Sequence, residues 1–406
     1  MARRGVLDFL APGEPLVVAI DDAIVRKTGR HVPGTQYHRD PLGPPFQVNL
    51  VWAERVLQLA AALPPGAGEG PCRMVPVDFL RAPRPARPAR DAPDDVLTVY
   101  RQLVRASRIT VRGAQRLAAL RDHLDHDGPR GQRPLWAVVD GRFTNRALFR
   151  GLPDRTVLIG RLRGDAQLYH LPPAPLPGQP GRHRVYGERA PTPEALRQDA
   201  TVPWQTVRVW AVGRYHDFRV KTLAPLRWRS AGEKHSLRLL VIAPLGYRPR
   251  KGSKVLYRQP AYLICTDPSL PLEQILQAYV WRWDIEVNFR DEKQLLGLGD
   301  AQVRSPAAVE TAPALAVAAY SLLLVAAARA FGVHGTPGTI PPPKWRTRRE
   351  KPRATTLDLI QHLRAELWGP ALGVPDFSGF SSPPRPHHNP EKSTPNLAAA
   401  VLYAVG

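Results

Sequence analysis

Tyr279, Arg282, Glu286 and Lys293 stand at offsets of 0, 3, 7 and 14 in a stretch, Gln277 to Lys293, that has neither proline nor glycine. On an α-helix these four side chains fall within about 60° of one another. One acid, two bases and a phenol on one stripe could hold a metal ion and grip phosphates. The same spacing also suits a solvated helix face with an Arg282–Glu286 pair one turn apart, and spacing alone leaves both readings open. Leu276, Val280, Trp283 and Val287 share another face, which predicts a buried stripe.

Two further acids follow apolar runs. Leu16–Ile20 leads into Asp21 and Asp22, and Leu135–Val139 leads into Asp140 and Gly141. Each run reads as a buried strand. A carboxylate at such a place is costly unless it is paired or bound to metal; the alternative at each is a strand-end turn open to solvent. Three carboxylates from distant positions, brought together, are what two Mg²⁺ ions need to activate an oxygen nucleophile and stabilise the leaving oxygen in phosphoryl displacement.

The elements that must position these residues can be read coarsely. Phe46–Trp52 and Met74–Leu80 predict strands that would join the first in an antiparallel meander. Val96–Leu124 predicts a helical region with Arg101, Arg105, Arg108 and Arg112 on a basic face. Thr144 is a candidate cap for a short helix over 145–150, and Thr156–Leu162 predicts the next strand. Residues 170–257 alternate strand-like runs with Pro and Gly. Tyr262–Asp267 predicts another strand, Ser269 a cap and Pro271 a first helical turn. That helix should stop near Gly297 and Gly299. A second helix is expected over 306–331; its uncharged stretch Thr311–Ala328 is short for a membrane span and reads as a buried core helix, so no membrane association is expected. Residues 335–351 read as a basic, proline-rich linker, 355–368 as an amphipathic helix, and the end as loop and a short Ala-rich helix. His387 and His388 lie in a Pro-rich loop and are not expected to bind metal.

Composition narrows the partners. With 43% hydrophobic residues in 406, the chain can bury a sizeable core. Its 45 prolines are roughly twice average usage and cluster in the segments read as loops. A formal charge of +22 favours a polyanion such as nucleic acid. Cys72 and Cys265 are the only cysteines, which excludes a CxxC-type zinc site. They suggest no disulfide framework, and a reducing cytoplasm fits. No signal peptide is read at the N-terminus, where Asp8 interrupts the apolar residues.

The pattern of Tyr, two residues, Arg, three residues, Glu, six residues, Lys resembles the YREK signature of bacterial DDE transposases of the insertion-sequence-four group. Tyr279, Arg282, Glu286 and Lys293 fit it without a gap, and Gly297–Ser305 also looks like relatives. The resemblance covers about residues 15–330. It implies an α/β fold: an RNase H-like mixed-sheet catalytic core, interrupted by a β-rich insertion, with a helical C-terminal part. The expected parts are 1–168 and 258–332 for the two halves of the core, 169–257 for the insertion and 333–406 for the basic linker and tail. The implied activity is cleavage and transfer of DNA strands of an insertion sequence, using two Mg²⁺ or Mn²⁺ ions. Asp22, Asp140 and Glu286 would be the catalytic, metal-binding acids. The resemblance leaves the first acid ambiguous by one residue, between Asp21 and Asp22; relatives place a small or hydroxyl residue after it, which favours Asp22, before Ala23. Tyr279, Arg282 and Lys293 would contact phosphates near the cleaved strand, with Arg290 as a further DNA contact. The partners implied are double-stranded DNA and a second copy of the chain on it, with the nucleoid as the place of action.

Two departures from the relatives stand out. The first acid lies about twenty residues from Met1, so their helical end-binding domain is expected to be missing, and Ala23 replaces the usual hydroxyl residue. A truncated, non-catalytic DNA-binding remnant is therefore the alternative. Hairpin chemistry, known in part of the group, needs a base-stacking aromatic in the insertion; Trp204, Trp210 and Trp228 are the candidates.

Overall fold

The computed structural model describes residues 1–40, 43–44, 46–64, 70–173, 183–250, 252–335 and 353–368. The linker read over 335–351, apart from Gly335, the Ala-rich terminal helix and the His387–His388 pair lie outside the described residues.

After a short helix α1 (Ala2–Leu7), the chain lays down β1 (Leu16–Arg26), β2 (Gln36–Arg39), β3 (Leu50–Leu63) and β4 (Arg73–Arg81). β1 pairs antiparallel with β3, and β3 antiparallel with β4. Leu16–Ile20 is buried throughout, as expected of a strand with helices over both faces. β3 is later and longer than the predicted 46–52: Phe46 is 89% exposed and outside it. The Ala- and Leu-rich second half of β3 has helical composition, but its register against β1 and β4 overrides that preference.

The predicted helical region is two helices, α2 (Asp94–Ala106) and α3 (Ile109–Asp125). β5 (Leu135–Val139) runs parallel to β1, and β6 (Thr156–Leu162) parallel to β5, with α4 (Arg146–Arg150) between them. The cap of α4 is Asn145, whose side chain accepts from the amides of Ala147 and Leu148; Thr144 instead donates its hydroxyl to the Asp140 carbonyl.

The residues expected as an insertion hold β7 (Leu168–His170), α5 (Pro193–Gln198), β8 (Gln205–Ala211), β9 (Arg214–Trp228), β10 (Gly232–Ile242) and a small pair, β11 (Gly246–Tyr247) with β12 (Leu256–Tyr257). β13 (Ala261–Cys265) pairs antiparallel with both β6 and β10. The inserted strands thus extend the same sheet, which has 11 strands in the order β2-β3-β1-β5-β6-β13-β10-β9-β7, with β4 beside β3 and β8 beside β9. The result is a mixed α/β sheet consistent with an RNase H-like core.

Helices close both faces. α3 and α4 pack on one through Leu117, Leu120 and Leu148. On the other lie α6 (Leu272–Trp281) and α7 (Asp284–Leu295), through Ile275, Leu276, Ile285 and Phe289. These two replace the single helix predicted. α6 starts after Pro271, while Ser269 is occupied with the Asp267 carboxylate. Because the helix breaks after Trp281, the residue faces shift: Trp283 is 52% exposed, Val280 and Val287 are half-buried, and Ile285 and Phe289 take the core positions. α7 ends before Gly297, whose φ of +69° suits glycine.

α8 (Pro306–Phe331) runs along β4, with the Ser321 hydroxyl donating to the Pro76 carbonyl, and α9 (Thr356–Trp368) packs on it. By length and composition α8 could cross a membrane. It is not the fully buried helix predicted. Val317, Tyr320, Leu324 and Ala328 face inward, whereas Leu315 is 71% exposed. A helix that shields an edge strand needs only one face in the core.

Candidate active site

Successive strand residues point to opposite faces, and this parity separates the two aspartates of β1. Val17 and Ala19 face α6 and α7, as does Asp21; Leu16, Val18 and Ile20 face the α3 side, as does Asp22. Asp21 lines a cleft of about 900 Å³ together with Asp140, Arg142, Thr144, Arg161, Trp228, Tyr279, Arg282, Trp283 and Glu286. Asp22 lies away from it, its carboxylate held by Arg142 at 2.8 Å and Arg55 at 3.3 Å. The structure therefore brings Asp21, not the expected Asp22, to Asp140 and Glu286. The rule based on the following residue carries no information about strand face.

Asp140 reaches the same place because β5 is parallel to β1: Ile20 is in register with Val139, so each acid is the first residue beyond the paired run. One Asp140 carboxylate oxygen accepts from the amides of Arg142 (2.9 Å) and Phe143 (3.1 Å), which fixes the side chain against its own turn. Gly160 on β6 leaves the room that Thr144 needs; a Cβ there would lie 2.3 Å from the threonine hydroxyl.

The third part comes from the α6–α7 break. Tyr279 lies in the last turn of α6, Arg282 caps its end and Glu286 lies in the first turn of α7. Tyr279 and Arg282 are buried, whereas the Glu286 side chain is 47% exposed. The Arg282 guanidinium lies between the Tyr279 and Trp283 rings, 5.7 and 5.2 Å from their centroids. It reaches Asp21 at 3.3 Å and Glu286 at 3.4 Å. Burial pushes the Asp21 carboxyl up to about 7; the Arg282 charge opposes that rise and the Asp140 charge adds to it. Burial also raises the Tyr279 phenol.

The other two expected DNA contacts lie elsewhere on α7. Lys293 donates to the Ile24 carbonyl at 3.0 Å, and Arg290 pairs with its neighbour Asp291 at 2.9 Å; neither lines the cleft. Sequence reasoning missed the cationic rim formed by Arg142, Arg161 and Arg163. The signal was there in Arg161-Leu162-Arg163, at the same end of a parallel strand as the two aspartates. Of the three aromatic candidates, only Trp228 lines the cleft. Trp204 packs beneath the Lys221 ammonium, and Trp210 is fixed by two backbone hydrogen bonds with the Gln277 amide.

The donor chemistry suits Mg²⁺ or Mn²⁺, since all three acids offer hard oxygen ligands. Asp21 and Asp140 repel each other in a buried place, a strain that a divalent cation would relieve. The three acids do not close around one point: among the described residues no three His, Cys, Asp or Glu side chains gather to hold an ion. The Arg282 guanidinium instead spans Asp21 and Glu286, a positive group standing where positive charge is called for.

A family model described as DDE superfamily endonuclease matches residues 2–231, more than half of the chain. The chain belongs to the DDE superfamily endonucleases, and this membership makes it a nucleic-acid-cleaving type of protein whose substrate is DNA. The matched region contains Asp21 and Asp140 and ends before Glu286. No curated protein matches the chain.

Proposed function

We propose that this protein is a DNA transposase of the insertion-sequence-four type, cutting and transferring DNA strands at the cleft of Asp21, Asp140 and Glu286. The observation that carries this reading is that one cleft gathers those acids with Tyr279 and Arg282 of the YREK-like stretch. In this reading Asp21, Asp140 and Glu286 would hold the divalent cation, with Glu286 parted from Arg282. The cation would supply electrophilic stabilisation and lower the pKa of an attacking water or 3′-hydroxyl. Asp140 is preorganised by its two backbone amides, so little reorganisation is needed at that ligand. Arg282, released from Glu286, turns its planar fork to the scissile phosphate. Tyr279 offers its hydroxyl to a neighbouring phosphate oxygen, and Arg161 and Arg163 attract the backbone at the rim. We assign the catalytic core to 1–168 and 258–332.

A second reading, a DNA-binding remnant without catalysis, draws on the Arg282 bridge, which neutralises Asp21 and Glu286 without a metal. Nicking of supercoiled DNA with Mn²⁺ separates the two. The transposase reading expects nicking by the wild type and none by Asp140→Ala or Glu286→Gln, with DNA affinity retained. Equal activity in all three proteins would refute it, and binding without nicking under any metal would favour the remnant.

A further inference from the structure

A second charged cluster lies across the sheet from the cleft. Arg142 Nη1 holds both oxygens of Asp22, at 2.8 and 2.9 Å, and Arg55 Nε lies 3.3 Å from one of them. Asp22 is almost wholly enclosed, with 5% of its side chain exposed, whereas Arg142 is 47% exposed. Arg55 is mostly buried, and its Nε forms no hydrogen bond. Arg84, exposed at the start of the basic proline-spaced loop, is close enough to disfavour the charge on both Arg55 and His38. His38 is buried, and burial together with the Arg55 and Arg84 charges pushes its pKa down to about 4 against the opposing backbone hydrogen bond at Ala53. It is neutral at pH 7. Two guanidiniums therefore hold one carboxylate, and the charge of Arg84 adds to that of Arg55 at a partly buried place. Such crowding is costly unless an anion offsets it.

The position of Arg142 indicates which anion. It also lines the cleft, next to Asp140, so the cluster and the cleft share a wall. Arg142 and Arg55 share Asp22, and the basic proline-spaced loop that carries Arg84 also carries the exposed Arg87 and Arg90. Guanidinium forks match phosphate geometry, and phosphate contacts of this kind set the path of DNA without reading its sequence.

We propose that Arg55, Arg84 and Arg142 form a clamp for a backbone phosphate of the DNA strand that leaves the cleft, with Asp22 as the internal stand-in for that phosphate. This rests on the DNA-cleaving reading above, and assigns Asp22 an electrostatic role instead of a catalytic one. When DNA arrives, the exposed Arg142 turns from Asp22 to the phosphate, and the Asp22 carboxylate becomes the competitor.

The test is equilibrium binding of a duplex of about 30 base pairs to the full chain, without divalent metal, over a range of salt. Neutralising one phosphate contact lowers the slope of log affinity against log salt by about 0.9. Arg55→Gln/Arg84→Gln should lose about that much, and Arg84→Gln alone, at an exposed position, a part of it. Asp22→Asn should bind several-fold more tightly than wild type, and more tightly than Asp154→Asn, which neutralises an exposed acid elsewhere. A wild-type slope in the double variant, or equal gains for the two aspartate variants, would overturn the clamp alone. Thermal melting verifies that the variants fold, and Arg84→Gln decides the matter if Arg55→Gln does not. Absence of any DNA binding by the wild type would overturn the DNA-cleaving reading and the clamp together.

Discussion

Arg282 Nη1 lies 3.3 Å from the Asp21 carboxylate, joining the middle of the first long strand to the break between two helices 261 residues later. This contact ties the two halves of the cleft together. The same guanidinium reaches Glu286, so one side chain holds both acids.

Arg282→Lys should therefore be far from conservative. A lysine is a point charge and cannot span two carboxylates or present a planar fork to phosphate. Cleavage should fall on the order of 10²-fold, the usual effect of removing one preorganised transition-state contact. Melting temperature should change little, because the Tyr279 and Trp283 rings still cover the site. A single-turnover nicking rate together with a melting curve checks this; full activity in the lysine variant would remove Arg282 from the mechanism.

Glu292 gives a pH prediction independent of the cleft. It is completely buried, and burial pushes its pKa from 4.5 up to about 8, with the Gln58 side chain and then the Lys293 charge opposing the rise. The native state thus binds a proton that the unfolded state releases above its own pKa. The stabilisation is complete below about 4.5 and is lost as pH rises through about 8. Glu292→Gln keeps the shape without the titration. Its melting temperature relative to wild type should climb between pH 5 and pH 8 and level off above that. A difference independent of pH would show that Glu292 does not titrate in this range.

Gly160→Ala should damage the site from a distance. Its Cβ would meet Thr144, whose hydroxyl anchors the turn carrying Asp140. Overpacking of this kind costs about 1–3 kcal/mol, and the displaced turn should lower nicking further than the lost stability explains. Denaturant unfolding and nicking on the same preparation separate the two effects.

Much of this arrangement was legible in the sequence. The apolar runs before Asp21 and before Asp140 are short and uninterrupted, so both strands and the acids after them could be placed, although β1 continues past Asp21 to Arg26 instead of ending there. Tyr279, Arg282 and Glu286 could be grouped because their spacing survives the helix break. Lys293, grouped with them on the same spacing, lies in the last turn of α7 and is drawn to the Ile24 carbonyl instead of the cleft. The choice between Asp21 and Asp22 was not legible for a related reason: it depends on which face of β1 receives α6 and α7, and an all-apolar strand gives no polar side to mark. β3 was misplaced because its Ala- and Leu-rich half reads as helix until its two partner strands are known. α8 was read as buried because composition cannot distinguish a core helix from one that shields a single edge strand.

The most direct test of the account is Mn²⁺-dependent nicking of duplex DNA by Asp21→Asn and Asp22→Asn, side by side with wild type. Asp21→Asn should lose cleavage on the order of 10²-fold or more, whereas Asp22→Asn should cleave at saturating protein at close to the wild-type rate. The reverse result, with Asp22→Asn inactive and Asp21→Asn active, would contradict the cleft described here.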